Sequence, residues 1–392
     1  MRNDAIEFCK RLNIAFHEPM LPYYERGLEL REKLGISIFD RERIKRLNNE
    51  YRIFREGFSE VLHAGSLIEN NPDLVLYNYI LIAIIEAEAK LTDTLDVPCG
   101  VSVETDFCPT YAILYFVERA VEIHKKRGLP KDIISDSLWG IGSEMCAYRD
   151  MHGRYGMRDY VEWYFYFIRG EIIRIGRLQY EFTTFKSPVR VFKRGGDVAI
   201  LMDGVDMHKK GMIFGAPGQT DEEGKYFAEI KEDGDSVTGY RANIYGEADP
   251  QPVTLVGYTE PLKHGDNILG IHITNGEPFD ISLVLDSFLR AGEVMKRYYP
   301  ELEIKGYYGY SWVFEKHLRD IMGRDTNITR LQDLFYCFPT QGGQHGVYEY
   351  VFARPESTPT EELPEDTSMQ RAIKKYLLEG NCFYEKAGIR LI

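Results

Sequence analysis

The residues with the clearest chemical potential stand at 266–280. There an apolar run of strand length (DNILGIHI, 266–273) gives way to Thr274, Asn275, Gly276, Glu277, Pro278, Phe279 and Asp280. Asp280 is placed to cap a helix whose apolar positions Ile281, Val284, Leu285, Phe288, Met295 and Tyr299 share one face, and Pro300 marks its end. A strand that feeds through a glycine-containing loop into a helix start is an anion-binding arrangement, because the first N–H groups and the helix dipole favour negative charge. Other constellations are poorer. His17-Glu18-Pro19 lacks the second histidine a zinc-binding helix needs, so no metal is expected. The run 342–346 (GGQHG) precedes an apolar stretch expected as a strand at 347–353, the wrong context for a phosphate loop; it is expected to be a mobile loop over a site. There is no G-x-S-x-G elbow, no C-x-x-C pair and no cysteine beside a histidine in sequence.

The composition narrows the classes further. The chain has 392 residues, 48 Lys and Arg against 61 Asp and Glu for a net charge of −13, and 44% hydrophobic residues. That length is enough for two packed units. An acidic chain whose basic pieces are two or three charges long (193–194, 208–210, 125–127) is not expected to bind nucleic acid. The longest apolar run, 74–85, is broken by Asn78 and stops at Glu86, too short for the ~20 residues that span a bilayer, so no membrane partner is expected. The first residues are charged throughout and lack a secretory h-region. Six scattered cysteines fit reduced thiols, and the location expected is cytoplasmic.

The elements that position these residues fall into two classes. Up to residue 155 the periodicity is helical: Ile44, Leu47, Tyr51, Phe54, Phe58 and Val61 form one stripe over 41–62. The positions Tyr111, Leu114, Tyr115, Glu118, Val121 and His124 form another over 109–126, stopped by Gly128 and Pro130. From about residue 161 the period shortens. Residues 171–182 alternate, 189–192 and 197–202 flank Gly195-Gly196 as a hairpin, and 216–236 is rich in Gly, Asp and Glu and is expected as an exposed excursion. Residues 303–314 are expected as a strand, 315–322 and 328–335 as short helices, and 370–378 as an amphipathic closing helix. The expected fold class is α+β: an all-helical domain over 1–155, then a mixed α/β domain with a central twisted sheet over 156–392.

Five stretches in order carry a resemblance: 176–181 (GRLQYE), 265–276 (GDNILGIHITNG), Tyr310-Ser311-Trp312, 326–335 (TNITRLQDLF) and 363–371 (LPEDTSMQR). Together they resemble the GNAT-like acyltransferase-domain proteins of Gram-positive bacteria, which pair a helical N-terminal domain with a GNAT-like C-terminal domain. The resemblance covers residues 176–392 by motif and the helical half by size and class. It implies a splayed central strand at 268–273, with an acyl-CoA co-substrate beside it and its pyrophosphate on Ile273, Thr274, Asn275, Gly276 and Phe279. The loop departs from the family's Arg/Gln-x-x-Gly-x-Gly/Ala pattern and places Glu277 and Asp280 where a pyrophosphate would sit.

The implied reaction is attack of a small amine or peptide amine on an acyl thioester. It needs a base, donors for the oxyanion and an acid for the departing thiolate. Under this resemblance Glu181 and His272 are the base candidates, Tyr310 and Ser311 the acid candidates, and Arg177, Gln179 and Trp312 the substrate-binding candidates. The alternative, drawn from the departure in the loop, is a non-catalytic ligand-binding or regulatory module on a degenerate GNAT scaffold.

Overall fold

The protein was analysed as a computed structural model, which describes residues 1–90, 94–97, 101–157, 163–274 and 277–392. It divides into two compact units: Met1–Glu181 with Ile273–Pro278, and Phe182–His272 with Phe279–Ile392.

The first unit is built from helices α1 (Arg2–Leu12), α2 (Leu21–Leu34), α3 (Arg41–Tyr51), α4 (Phe58–Ile68), α5 (Pro72–Glu86), α6 (Val103–Arg127), α7 (Lys131–His152) and α8 (Trp163–Arg169). The α5 helix is the apolar run read above; residues Leu74 to Ile85 are all buried, including Asn78, whose Nδ2 donates to Leu74 O at 2.9 Å. The stripe over 41–62 is not one helix. Arg52 turns into the left-handed region at φ 53°, Asn48 Oδ1 accepts from Phe54 N at 2.7 Å, and Gly57 at φ 68° starts α4. The apolar spacing survives this break because both helices bury the same class of face, so periodicity alone conceals it. Gly128 ends α6 at φ 83°, in the left-handed geometry a glycine takes without strain. A hairpin completes the unit: β1 (Ile172–Ile175) pairs antiparallel with β2 (Leu178–Thr184) around Gly176-Arg177, so the alternating stretch 171–182 is two strands rather than one.

The second unit holds β3 (Val189–Arg194), β4 (Asp197–Met202), β5 (Val205–His208), β6 (Lys225–Ala228), β7 (Lys231–Asp233), β8 (Ser236–Arg241), β9 (Val253–Val256), β10 (Thr259–Leu262) and β11 (Asn267–Ile273). It continues with α9 (Ile281–Tyr298), β12 (Gly306–Ser311), α10 (Leu318–Met322), α11 (Asn327–Gln332), β13 (Tyr336–Phe338), α12 (His345–Val347), α13 (Ser368–Leu378) and β14 (Lys386–Leu391). One antiparallel sheet runs β10-β3-β4-β8-β7, with β9 also on β8; another path runs β11-β12-β14-β13. A core of Val189, Val191, Ile200, Ile268, Phe338 and Ile389 fills the space between strands of both. The stretch 216–236 is largely exposed, yet it carries β6 and β7 rather than an irregular loop, because Tyr226 and Ile230 turn inward against Tyr240 and Leu201. The expected strand at 347–353 is helical instead: α12 continues as a π-helical turn, Tyr348–Phe352, whose Tyr348, Phe352 and Val347 pack on Ile373 and Leu377 of α13. β-branched and aromatic content misled there; a short apolar run is ambiguous until its packing partner is known.

Candidate functional site

In the second unit the parallel ladder between β11 and β12 joins Leu269 to Tyr307 and Gly270 to Tyr308. Both strands run on, β11 through His272 and β12 through Ser311, without further rungs between them among the described residues. Gly309 lies just past the last rung; the Phe314 ring occupies the space a side chain there would need, 2.4 Å from an ideal Cβ. His272 and Tyr310 therefore stand past the last β11–β12 rung, Tyr310 still paired with Ala387 of β14.

Tyr310 Oη donates to Glu385 Oε2 at 3.0 Å. Burial, reinforced by the Glu385 carboxylate, pushes the phenol's pKa well above its ordinary value, so Tyr310 keeps its proton. Glu385 is held by the loop 340–346: its backbone N–H donates to Gly343 O at 3.0 Å and its carbonyl accepts from Thr340 Oγ1 at 2.5 Å. Two glycines of this loop, Gly342 and Gly346, are steric requirements. A Cβ at Gly342 would lie 2.5 Å from Tyr310 Oη, and one at Gly346 would lie 2.3 Å from Glu385 Oε1 and 3.1 Å from the Trp312 ring. The GGQHG run, read above as a loop over a site, packs against Tyr310, Trp312 and Glu385 and leads into a helix. Ser311 Oγ accepts from Val313 N at 3.3 Å, starting the turn that carries Trp312.

Next to Glu385, Lys386 is fully buried opposite Ser311 in the β12–β14 register. Its Nζ donates to Tyr245 O at 2.9 Å, Glu315 Oε1 at 3.0 Å and Glu247 Oε1 at 3.4 Å. His317 Nδ1 lies 2.7 Å from the same Glu315 oxygen, its ring stacked on Tyr245 at 4.7 Å. The hydrogen bond to Glu315 raises the His317 pKa. Burial alone would raise that of Glu315, but Lys386 and His317 outweigh it and hold the carboxyl below its ordinary value.

The start of α9 is already capped. Asp280 Oδ1 accepts from Ser282 N at 2.8 Å, Asn327 Oδ1 accepts from Ile281 N at 3.3 Å, and Val284 N donates to Asp280 O at 3.2 Å. Asn327 Nδ2 donates to Phe279 O at 2.8 Å. Three of the first four donors of this helix, Ile281, Ser282 and Val284 N, thus have internal acceptors, Asp280 among them.

In the first unit the segment Ile273–Pro278 is held by two buried arginines of the β1–β2 hairpin. Arg177 donates to Thr274 Oγ1, Glu277 O and Pro278 O, each at 3.0 Å, and burial lowers its pKa. Arg174 forms an ion pair with the Glu277 carboxylate, whose other oxygen is 3.7 Å from Arg55 Nη1. Gln179 is buried on β2 opposite Arg174, with its amide against Gly140 of α7, and Glu181 sits opposite Ile172. Asn275 and Gly276 lie outside the described residues. Of the sequence candidates, Arg177 and Thr274 are joined directly, and Tyr310, Ser311 and Trp312 follow one another at the end of β12. Glu385, Arg174, Trp139 and Arg55 were not read from the sequence. The signal for Glu385 was the short alternation 387–391 after it, masked by Gly388.

Among the described residues no cluster of three or more His, Cys, Asp or Glu side chains is arranged to hold a metal ion, and no helix is long and apolar enough to cross a membrane. The described cysteines Cys9, Cys108, Cys146, Cys337 and Cys382 are free thiols; Cys99 lies outside the described residues.

Among solved structures the fold is similar to an acyltransferase mutant in complex with octanoyl-CoA, at 18% identity and TM-score 0.60 over 90% of this chain and 88% of that one. It is also similar to an acyltransferase in complex with CoA and 10C-teicoplanin, at 18% identity and TM-score 0.58 over 88% and 87%. A third, an acyltransferase in complex with decanoyl-CoA, matches at 18% identity and TM-score 0.55 over 85% and 82%. No curated relative matches the chain. The sequence matches the N-acyltransferase N-terminal domain over residues 42–170 and the GNAT-like C-terminal domain over residues 172–390, so that a helical half and a mixed α/β half, each in its place, make this chain a member of the GNAT-like C-terminal domain family.

Proposed function

We propose that the protein is an N-acyltransferase that moves an acyl group from an acyl-CoA thioester to the amine of a small molecule or peptide. The observation that carries this reading is the β11–β12 ladder that ends at Gly270 and Tyr308 while both strands continue, because two strands that stop pairing with each other leave room between them for the narrow arm of a thioester carrier. The neighbours bound to octanoyl-CoA, decanoyl-CoA and teicoplanin support both the donor and an amine or peptide acceptor. Arg174, paired with Glu277, and Arg177, on the carbonyls of Glu277 and Pro278, are the buried positive groups beside the segment after β11 that a phosphate of the donor would meet.

In this reading the amine nitrogen attacks the thioester carbon, the C–S bond breaks and the thiolate takes a proton. His272 or Glu181 receives the proton that the amine loses. Tyr310 is the acid, since a phenol kept protonated beside Glu385 has a proton to give to sulfur. Trp312 and the glycine loop wall the acceptor side, and Ser311 orients Trp312. Ile273, Thr274, Asn275, Gly276 and Phe279 are the proposed donor-binding residues, Gln179 is a proposed substrate-binding residue, and Arg177 bonds Thr274, Glu277 and Pro278 of that stretch. The reaction runs in a cytoplasmic setting, where acyl-CoA is available.

The test is a melting-temperature series with CoA, acetyl-CoA and octanoyl-CoA, followed by thiol release in the presence of an amine panel. Donor-dependent stabilisation with amine-dependent thiol release is expected. Stabilisation without thiol release from any amine places the protein with the ligand-binding modules, and flat curves across the donors overturn the acyl-CoA reading.

A further inference from the structure

Arg174 and Trp139 are 96% and 95% buried, yet Arg174 Nη1 and Trp139 Nε1 make no hydrogen bond. Buried donors without acceptors are rare and unfavourable by the desolvation each suffers. The two belong to one cluster in the first unit. The Arg55 guanidinium lies over the Trp139 ring at 4.8 Å, its Nη2 donates to Asp136 Oδ1 at 2.6 Å, and its Nη1 approaches Glu277 Oε1 at 3.7 Å. The other Glu277 oxygen is paired with Arg174, whose backbone N–H is fixed by Ser137 Oγ at 2.9 Å and whose Nε donates to Gly176 O. With Arg177 on the Glu277 carbonyl, three guanidinium groups face two carboxylates, Asp136 and Glu277. One positive charge and two buried N–H donors are left over.

We propose that this cluster is an oxyanion subsite in which the partly exposed Glu277 carboxylate is the internal occupant, displaced when a phosphate or carboxylate oxygen of a substrate enters between Arg174, Arg55 and Trp139. The proposal builds on the acyl-transfer reading and gives its substrates a required negative group; Glu277 is then a built-in competitor. Both possible sources present the same planar or tetrahedral oxygen set to a guanidinium fork.

The experiment is calorimetric titration of the full chain and its Glu277→Gln variant with CoA, with pantetheine, which lacks the phosphates, and with N-acetylglycine as a carboxylate. Removing the competitor is expected to tighten CoA or N-acetylglycine by about tenfold, the scale of one charge-assisted hydrogen bond, and to leave pantetheine unchanged. A response to CoA assigns the subsite to the donor's phosphates; a response to N-acetylglycine assigns it to the acceptor. Adding Trp139→Phe, which deletes an N–H that now bonds nothing, is expected to reverse most of the gain. Unchanged affinity for both anions in folded Glu277→Gln overturns the proposal. Should that variant not fold, Trp139→Phe alone in the native chain must weaken the responding anion several-fold, and no change overturns it equally. Native CoA binding and thiol release with no Glu277→Gln effect defeats the subsite alone. Tightened N-acetylglycine without any CoA binding defeats the acyl-CoA reading alone.

Discussion

Tyr310 couples two properties that seldom occur together: a half-exposed phenol ring and a proton held on by burial of its hydroxyl and by the Glu385 carboxylate. Tyr310→Phe is expected to lower kcat about 10²-fold, the lower range for a general acid, with KM for the donor little changed; steady-state thiol release measures both. The raised pKa adds a pH signature, since loss of the Tyr310 proton should not limit activity below pH ~10, the ordinary tyrosine value. A second residue-scale effect concerns stability. His317, raised by Glu315, contributes fully below its ordinary value of 6.5 and loses that contribution as pH rises through its higher folded value. Glu315, lowered in the folded state, contributes above 4.5 and loses it as pH falls through its lower folded value. Both are present between pH 4.5 and 6.5. His317→Gln is therefore expected to flatten the decline in melting temperature above pH 6.5, and an unchanged decline removes His317 as its source. Tyr310 and Trp312 were legible because they sit in a motif; Glu385 and Lys386 were not, since an acid and a lysine side by side read as solvated surface until β14 buries one of them.

Strand ends and loops decide what those residues touch. The expected β11 strand and α9 helix match the structure closely, because a long apolar run and a 3.6-residue stripe are strong local signals. The short elements at 336–338, 345–352 and 386–391 depend on partners far away in sequence, and local periodicity says little about them. The glycine loop gives the element-scale prediction. Gly346→Ala forces Glu385 or Trp312 aside and is expected to reduce kcat together with a loss of about 1–3 kcal/mol in stability, the usual effect of overpacking. Gly196→Ala, in a hairpin turn with nothing near its ideal Cβ, should stay within about 0.5 kcal/mol of the native chain. Urea unfolding of the two variants tests the contrast; equal effects exclude the steric account.

At the scale of the whole molecule, the division of the chain is not a single cut. Residues 273–278 complete the helical unit although the sequence on both sides of them belongs to the other one. A fragment of residues 1–181 would strand Arg174 and Arg177 without Glu277 and the loop carbonyls. Leaving such a buried charge unpaired is destabilising by roughly 3–5 kcal/mol. The fragment carrying Arg174→Met and Arg177→Met is therefore expected to unfold at higher urea than the unmodified fragment, and the reverse order argues that the loop is dispensable to the unit. A boundary near residue 155, placed where helical periodicity ends, could not anticipate this, because a six-residue return leaves no trace in composition.

That return also sets a clock. Arg174 and Glu277 are 103 residues apart, so on a ribosome adding about 5–20 residues per second the arginines emerge roughly 5–20 s before their carboxylate does. Throughout that interval the helical unit is an unfinished fold with open charge, and its final ordering is timed by translation of the strand that precedes residue 273.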